Sequence, residues 1–321
     1  MKLSSALVHA RPNNLHALRL VAAAAVVVSH AWPLAYGAGT PEPLKALTGQ
    51  SLGAWAVAVF FFLSGLLIAQ SAARRGAGAF WTARVKRILP GLAGALIITL
   101  MLAAASGGSV TPPIAAEYLL RGLTLVSLEH SIPGAYTTNP MPGLVNGPLW
   151  SLFHEVAAYA ICFGAVRSGI MARWPLAVPA LAVALWAMPG LPARVETFAP
   201  LFVAFAAGMT VWRFRARWPV TMPVLAVLVV LAPLGWPFAA VAVGQAALLI
   251  AFRAPPIRLR HDLSFGVYVY GWPVAQFILH QSPGLTAPLL AVASLAATLP
   301  LALMSWRMIE QPWLGLDLRI A

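Results

Sequence analysis

LHALRLVAAAAVVVSHAWPLAY, residues Leu15–Tyr36, decides the fold. It is an apolar run long enough to cross a hydrocarbon core as a helix, yet it carries Arg19 near its start and His30 well inside it. Eleven steps of about 3.6 residues per turn make close to three turns, so the guanidinium and the imidazole share one helix face, about 16 Å apart. Ionisable side chains at membrane depth are costly to insert, and they mark functional sites by default.

The composition around this run fits a membrane protein. The chain has 321 residues, 60% hydrophobic and 9% charged, with a mean hydropathy of +0.82. These values exclude an ordinary soluble domain and predict an all-α, polytopic transmembrane helical bundle. The expected spans are 15–36, 51–72, 88–106, 147–166, 174–189, 197–212, 219–235, 237–252, 263–281 and 286–306. The first reads as a retained span, since it is too long for a cleavable signal peptide and lacks a small-residue cleavage site. With ten spans, eighteen of the 21 Lys and Arg residues fall on one side and only Lys45, Arg121 and Arg194 on the other. The positive-inside rule then puts both termini in the cytoplasm. The net charge of +13 follows this topology, which argues against nucleic acid as a partner. The single cysteine, Cys162, excludes an intrachain disulfide and a multi-cysteine metal site. One integral-membrane domain, 1–321, is expected, with no fused soluble domain. The long connection 107–146, rich in proline, is expected to fold over the outer face as a partial lid around a helical piece near 114–129.

Of eight acidic residues, only Glu155 falls inside an expected span. It lies about 12 Å below the outer end of its helix and His30 about 9 Å below its own, at a rise of about 1.5 Å per residue. A carboxylate and an imidazole at one level can pair, which orients the ring and raises its basicity. The competing reading is an ion pair that only fixes helix packing. His154 points about 100° away from Glu155 around the helix and reads as structural or substrate-contacting. His280 reads as interfacial, and His9, His16, His130 and His261 receive no role. No histidine or carboxylate pair has helical ligand spacing, so no metal site is expected.

Arg84 and Arg87 in ARVKRILP are three residues apart, so on a helix they point the same way. Two guanidinium forks suit a phosphate, and a topology determinant bound to anionic lipid is the equal alternative. Arg19 can snorkel to headgroups, but it shares the stripe of His30. Trp150 reads as an interfacial anchor.

Six stretches in order resemble the membrane-bound acyltransferase 3 family, which O-acylates glycans and other hydroxylated metabolites. NNLHALRLVAAAAVVVSHAWPL is similar to the family's first helix, with Arg19 and His30 in its arginine-to-histidine spacing. VAVFFFLSGLLIAQS resembles the second-helix signature through Ser64 and Gly65, and ARVKRILPG the RxxR element through Arg84 and Arg87. VNGPLWSLFHEV resembles the tryptophan-to-glutamate helix through Trp150 and Glu155; LSFGVYVYGWPV and SWRMIEQPWL resemble the last two signatures. Two departures stand out. Gly271 occupies a position where many members carry histidine, and His154 one where an aromatic or small residue is frequent. Many relatives also carry a fused esterase-like domain.

The resemblance implies an enzyme of a bacterial inner membrane that takes an acyl group, expected to be acetyl, from cytoplasmic acyl-CoA to a carbohydrate or lipid-linked glycan. Arg19, Arg84 and Arg87 would bind the donor phosphates. His30, oriented by Glu155, would act as general base or carry a transient acyl group, and Trp150, His154 and Ser64 would contact substrate. A transporter or flippase is the rival reading, since many spans with intramembrane ionisable groups would serve it too.

Overall fold

A computed structural model describes residues 13–125 and 131–315. Lys2, His9, Arg11, Glu129, His130, Asp317 and Arg319, which entered the sequence reading, lie outside that range. Among the described residues the secondary structure is helical, with one isolated bridge between Ser131 and Leu144. The helices are α1 Leu15–Tyr36, α2 Leu52–Arg74, α3 Ala77–Ala105, α4 Pro112–Thr124, α5 Trp150–Arg167, α6 Ala177–Ala187, α7 Ala193–Arg213, α8 Met222–Leu231, α9 Trp236–Arg253, α10 Ser264–Gln281 and α11 Ala287–Ser305. Prolines set several starts: α4, α8, α9 and α11 each carry one in the first two positions, where the missing N–H has no helical partner to lose. Between α8 and α9 a 3-10 turn, Ala232–Leu234, runs into Gly235 at φ 146°, a conformation a side chain would resist.

A helix stands at each expected span, but they are not equivalent. α1, α2, α3, α7, α9 and α11 with its continuation to Leu314 have the length and apolarity to cross a membrane. α5 and α10 are 18 residues long but carry polar side chains such as Glu155 and Gln276. α6 and α8 span 11 and 10 residues, about 15 Å each at 1.5 Å per residue and so half a hydrocarbon core. The third helix also departs from expectation. It begins at Ala77 rather than near residue 88. Arg84, Lys86 and Arg87 are therefore inside the helix, where Arg84 and Arg87 share a face.

The chain divides into two compact units. The first comprises Met1–Arg19, Val57–Phe80 and His154–Arg258. Its core joins Phe62, Leu63 and Leu66 of α2 to Val211 of α7 and Leu248 of α9. Here α2 and α7 approach backbone to backbone: a Cβ on Gly65 would lie 1.9 Å from the Phe205 carbonyl oxygen, and one on Gly208 would lie 2.0 Å from that of Phe62. Small residues are what allow membrane helices to approach so closely. Polar caps fasten the ends. Asn14 donates to the carbonyls of Ile250 and Pro255, both at 3.0 Å, and accepts from the Ile257 amide at 2.6 Å. Gln245 donates to the Pro219 carbonyl at 3.0 Å and accepts from the Trp218 indole at 3.0 Å.

The second unit comprises Leu20–Ala56, Trp81–Phe153 and Leu259–Ala321. Its core joins Ala31 and Leu34 of α1 to Trp272 and Leu279 of α10 and Leu290 of α11. The connection after α4 packs along α10 and is held there by side chains in place of secondary structure. Asn139 donates to the Gln276 side chain at 2.7 Å; Gln276 donates to the carbonyls of Met141 at 2.9 Å and Leu144 at 2.7 Å. Asn146 donates to the Val269 carbonyl at 3.0 Å. The connection is thus a strap tied mainly to α10, with a further bond from Asn146 to Thr99 of α3 at 3.4 Å. After α11 a π-helical turn, Trp306–Glu310, keeps Glu310 buried.

Gly208→Ala forces its new methyl against the Phe62 carbonyl and should cost about 3 kcal/mol through overpacking. Thermal unfolding in detergent, followed by tryptophan fluorescence, should show a clearly lower midpoint than wild type. An unchanged midpoint would mean that α2 and α7 are not held at this separation.

Candidate active site

In the second unit, His30 is half-buried on α1. The Val26 backbone, one turn earlier on the same helix, is close enough to act on the ring. In the neutral imidazole one ring nitrogen carries the N–H and the other is the acceptor. Trp272 of α10 meets the ring edge-on, centroids 5.1 Å apart at 72°. The imidazole borders a narrow apolar crevice, too tight to admit a water molecule, lined by Val27, Leu34, Pro148, Tyr268, Trp272 and Ala275. The Tyr268 hydroxyl donates to the Pro148 carbonyl at 3.1 Å and lies 2.6 Å from the Ser151 hydroxyl, so the strap and α10 form one fixed wall.

A carboxylate that the sequence reading passed over also acts here. Glu42, in the 37–51 connection, is close enough for its charge to bear on His30. It accepts a hydrogen bond from the Ser29 hydroxyl. Ser29, fully buried, in turn accepts from the Gly53 amide at 2.8 Å. The local signal was weak: an acid between two prolines, outside any apolar run, reads as a loop residue.

In the first unit, Glu155 of α5 is half-buried and accepts from the Tyr159 hydroxyl, one turn along the same helix, and from the Ser64 hydroxyl of α2 at 3.3 Å. Ser64 thus stands beside the carboxylate. His154 is turned to α7: its Nε2 lies 3.1 Å from the Arg194 carbonyl and 3.3 Å from the Thr197 hydroxyl, and its ring stacks on Phe198 at 5.7 Å. Arg19 is half-buried in the first unit, whereas Trp150 is 39% exposed and belongs to the second. α1 runs unbroken from Arg19 to His30, so the two share the stripe that the spacing predicts.

The two arginines of α3 differ. Arg87 binds Asp262 through Nη2 at 2.7 Å and Glu310 through Nη1 at 3.7 Å, with the rings of Phe265 and Trp306 at 5.9 and 5.7 Å. Ser264 fixes the other Asp262 oxygen at 2.6 Å. Arg87 is therefore already committed to two buried carboxylates, neither of which the sequence reading placed inside the protein. Arg84, one turn earlier, is half-buried.

A family model described as Acyltransferase domain, Acyl_transf_3, matches residues 13–307. The chain is 26% identical over 331 residues to the O-acetyl transferase of Shigella phage Sf6, covering 95% of this chain and 96% of that one. It is 27% identical over 352 residues to Nodulation protein 10 of Rhizobium leguminosarum bv. viciae, covering 94% and 92%. No solved structure matches.

Arg87→Ala strands Asp262 and Glu310 without a counter-charge and should cost about 3 kcal/mol. A second change, Asp262→Asn, should restore part of the loss. Thermal midpoints of the single and double variants in detergent check this, and a midpoint unchanged in Arg87→Ala would refute it.

Proposed function

The chain belongs to the Acyl_transf_3 family of acyltransferases, enzymes that transfer groups other than aminoacyl groups, and we infer that its reaction is O-acylation from cytoplasmic acyl-CoA to a hydroxyl of a glycan or related acceptor. The protein is a multi-pass membrane protein; our reading adds ten crossings, both termini in the cytoplasm and a bacterial inner membrane. Support comes from the charge asymmetry of the connections and from the helix at each expected span. An acetyl group is the transferred unit on the strength of the phage relative's name.

The observation that carries the reading is the imidazole of His30 at the edge of an apolar crevice, met edge-on by Trp272. The unprotonated ring nitrogen takes the proton of the acceptor hydroxyl as its oxygen attacks the thioester carbonyl. The tetrahedral intermediate collapses with cleavage of the carbon–sulfur bond, and the imidazolium returns the proton to the departing CoA thiolate. The alternative chemistry passes through an acyl-imidazole on the same residue. Glu155 serves as a carboxylate partner in transfer, a role supported by the clamp of Tyr159 and Ser64 that keeps it from reorienting. Arg19 and Arg84 bind the donor phosphates, and Arg87 contributes by fixing the α3 surface from which Arg84 projects. Trp150 and Ser64 contact substrate.

His30→Ala should abolish transfer, a loss of about 10³-fold or more for a removed general base, while the protein still accumulates in the membrane. Mass spectrometry of surface glycans, reading one acyl increment per modified residue, checks it; retained acylation would sink the assignment. Arg84→Ala should raise the acetyl-CoA concentration for half-maximal rate about tenfold, the loss of one charge-assisted phosphate contact. An unchanged value would return Arg84 to an anionic-lipid anchor.

A further inference from the structure

Glu42 enters the second unit from an unexpected direction. The 37–51 connection leaves α1 at Tyr36 and then folds back along it, so that Glu42 reaches Ser29, seven residues before the helix end. At 1.5 Å per residue this is a descent of about 10 Å. The first turn of α2 lies at the same level, because the Gly53 amide donates to the Ser29 hydroxyl at 2.8 Å. That amide is one of the four at a helix start that lack an intrahelical partner. The connection is anchored directly after the carboxylate: the Glu42 carbonyl accepts from the Lys45 amide at 3.2 Å and that of Pro43 from the Leu52 amide at 2.8 Å.

A directed relay results, from the Gly53 N–H to the Ser29 oxygen and from the Ser29 O–H to the Glu42 carboxylate. Ser29 uses its single proton on Glu42, so the carboxylate is held in one orientation. Space for this is tight, since a Cβ on Gly53 would lie 3.1 Å from the Ser29 oxygen and 3.5 Å from Glu42 Oε2. Ser29 adjoins His30 in sequence, and the Glu42 charge bears on the imidazole. Structural need alone does not account for the arrangement, because an exposed carboxylate on a 15-residue surface connection gains nothing by descending into a half-buried position.

We propose that Glu42 is a positioning residue for the acyl transfer: locked by Ser29 and Gly53, it supplies the negative charge that stabilises the imidazolium formed when His30 takes the acceptor proton. The inference rests on the assignment of His30 as base. It concerns charge that develops only on the way to the transition state, and a fixed counter-charge in a water-poor site is most effective there. Glu42 transfers no proton itself; its oxygen is occupied by Ser29, and its effect on the ring is electrostatic.

The test uses membrane vesicles from cells producing the full chain, with radiolabelled acetyl-CoA as donor and the endogenous acceptor, reading label in the macromolecular fraction against donor concentration. Glu42→Gln keeps the acceptor oxygen for Ser29 and removes the charge. It should lower the maximal rate about 100-fold, at the lower end of the range for a lost electrostatic stabiliser, and leave the half-saturating acetyl-CoA concentration within about threefold. Glu42→Asp should recover part of the rate. Ser29→Ala, which frees the carboxylate without altering charge, should lower the maximal rate about fivefold and carries the test if Glu42→Gln fails to accumulate. His30→Ala runs alongside. If His30→Ala is inactive while Glu42→Gln or an accumulating Ser29→Ala runs at the wild-type rate, Glu42 has no such role and the base assignment stands. Activity in His30→Ala overturns the base assignment itself. A Glu42→Gln defect confined to the half-saturating concentration would make Glu42 a donor-binding residue and end the proposal.

Discussion

In a chain this apolar, an ionisable group that leaves water needs a partner fixed by the fold, because an unpaired buried charge costs several kcal/mol. That constraint organises the site. Of eight acidic residues, Glu42, Glu155, Asp262 and Glu310 are half-buried or buried, and each is held by different chemistry. A serine relayed to a backbone amide holds Glu42, a tyrosine and a serine hold Glu155, and one guanidinium holds Asp262 and Glu310 together. Hydroxyl clamps leave a carboxylate's charge uncancelled and available, whereas the Arg87 pairings neutralise it. The distinction separates groups suited to act on a reacting centre from groups suited to hold helices together.

The same logic explains how the second unit keeps a shaped crevice without secondary structure on one of its walls. Residues of the strap spend their carbonyls on Gln276 and Tyr268 of α10, so the wall that faces His30 moves only if those bonds break. Preorganisation of this kind is what a base catalyst needs, because the reacting atoms must already be aligned when the proton moves.

Helix positions were legible in the sequence because length and apolarity report them directly; each expected span holds a helix. Polar features were legible only where they sat on a helix face. Arg19, His30 and Glu155 could be placed by counting residues, and Ser64 came with its motif. Glu42 could not, since no periodicity describes a connection that doubles back beside its own helix. The pairing of Arg87 with Asp262 and Glu310 was not legible because they lie 175 and more residues away, and spacing carries no information across that separation. The α7 neighbours of His154 were hidden for the same reason, and the third span was begun at residue 88 because the basic residues before it interrupt the apolar run.

Gly271 lines the His30 crevice, and a Cβ there would lie 2.3 Å from a Val27 methyl. The two residues divide one parcel of space beside the imidazole, and this chain gives nearly all of it to Val27. A relative with a histidine at this place must shrink the residue facing it or shift the helix. Positions 27 and 271 are therefore not independent letters in the lineage: an exchange at one is viable only with a matching exchange at the other, and each solution sets how much polar surface the His30 imidazole sees.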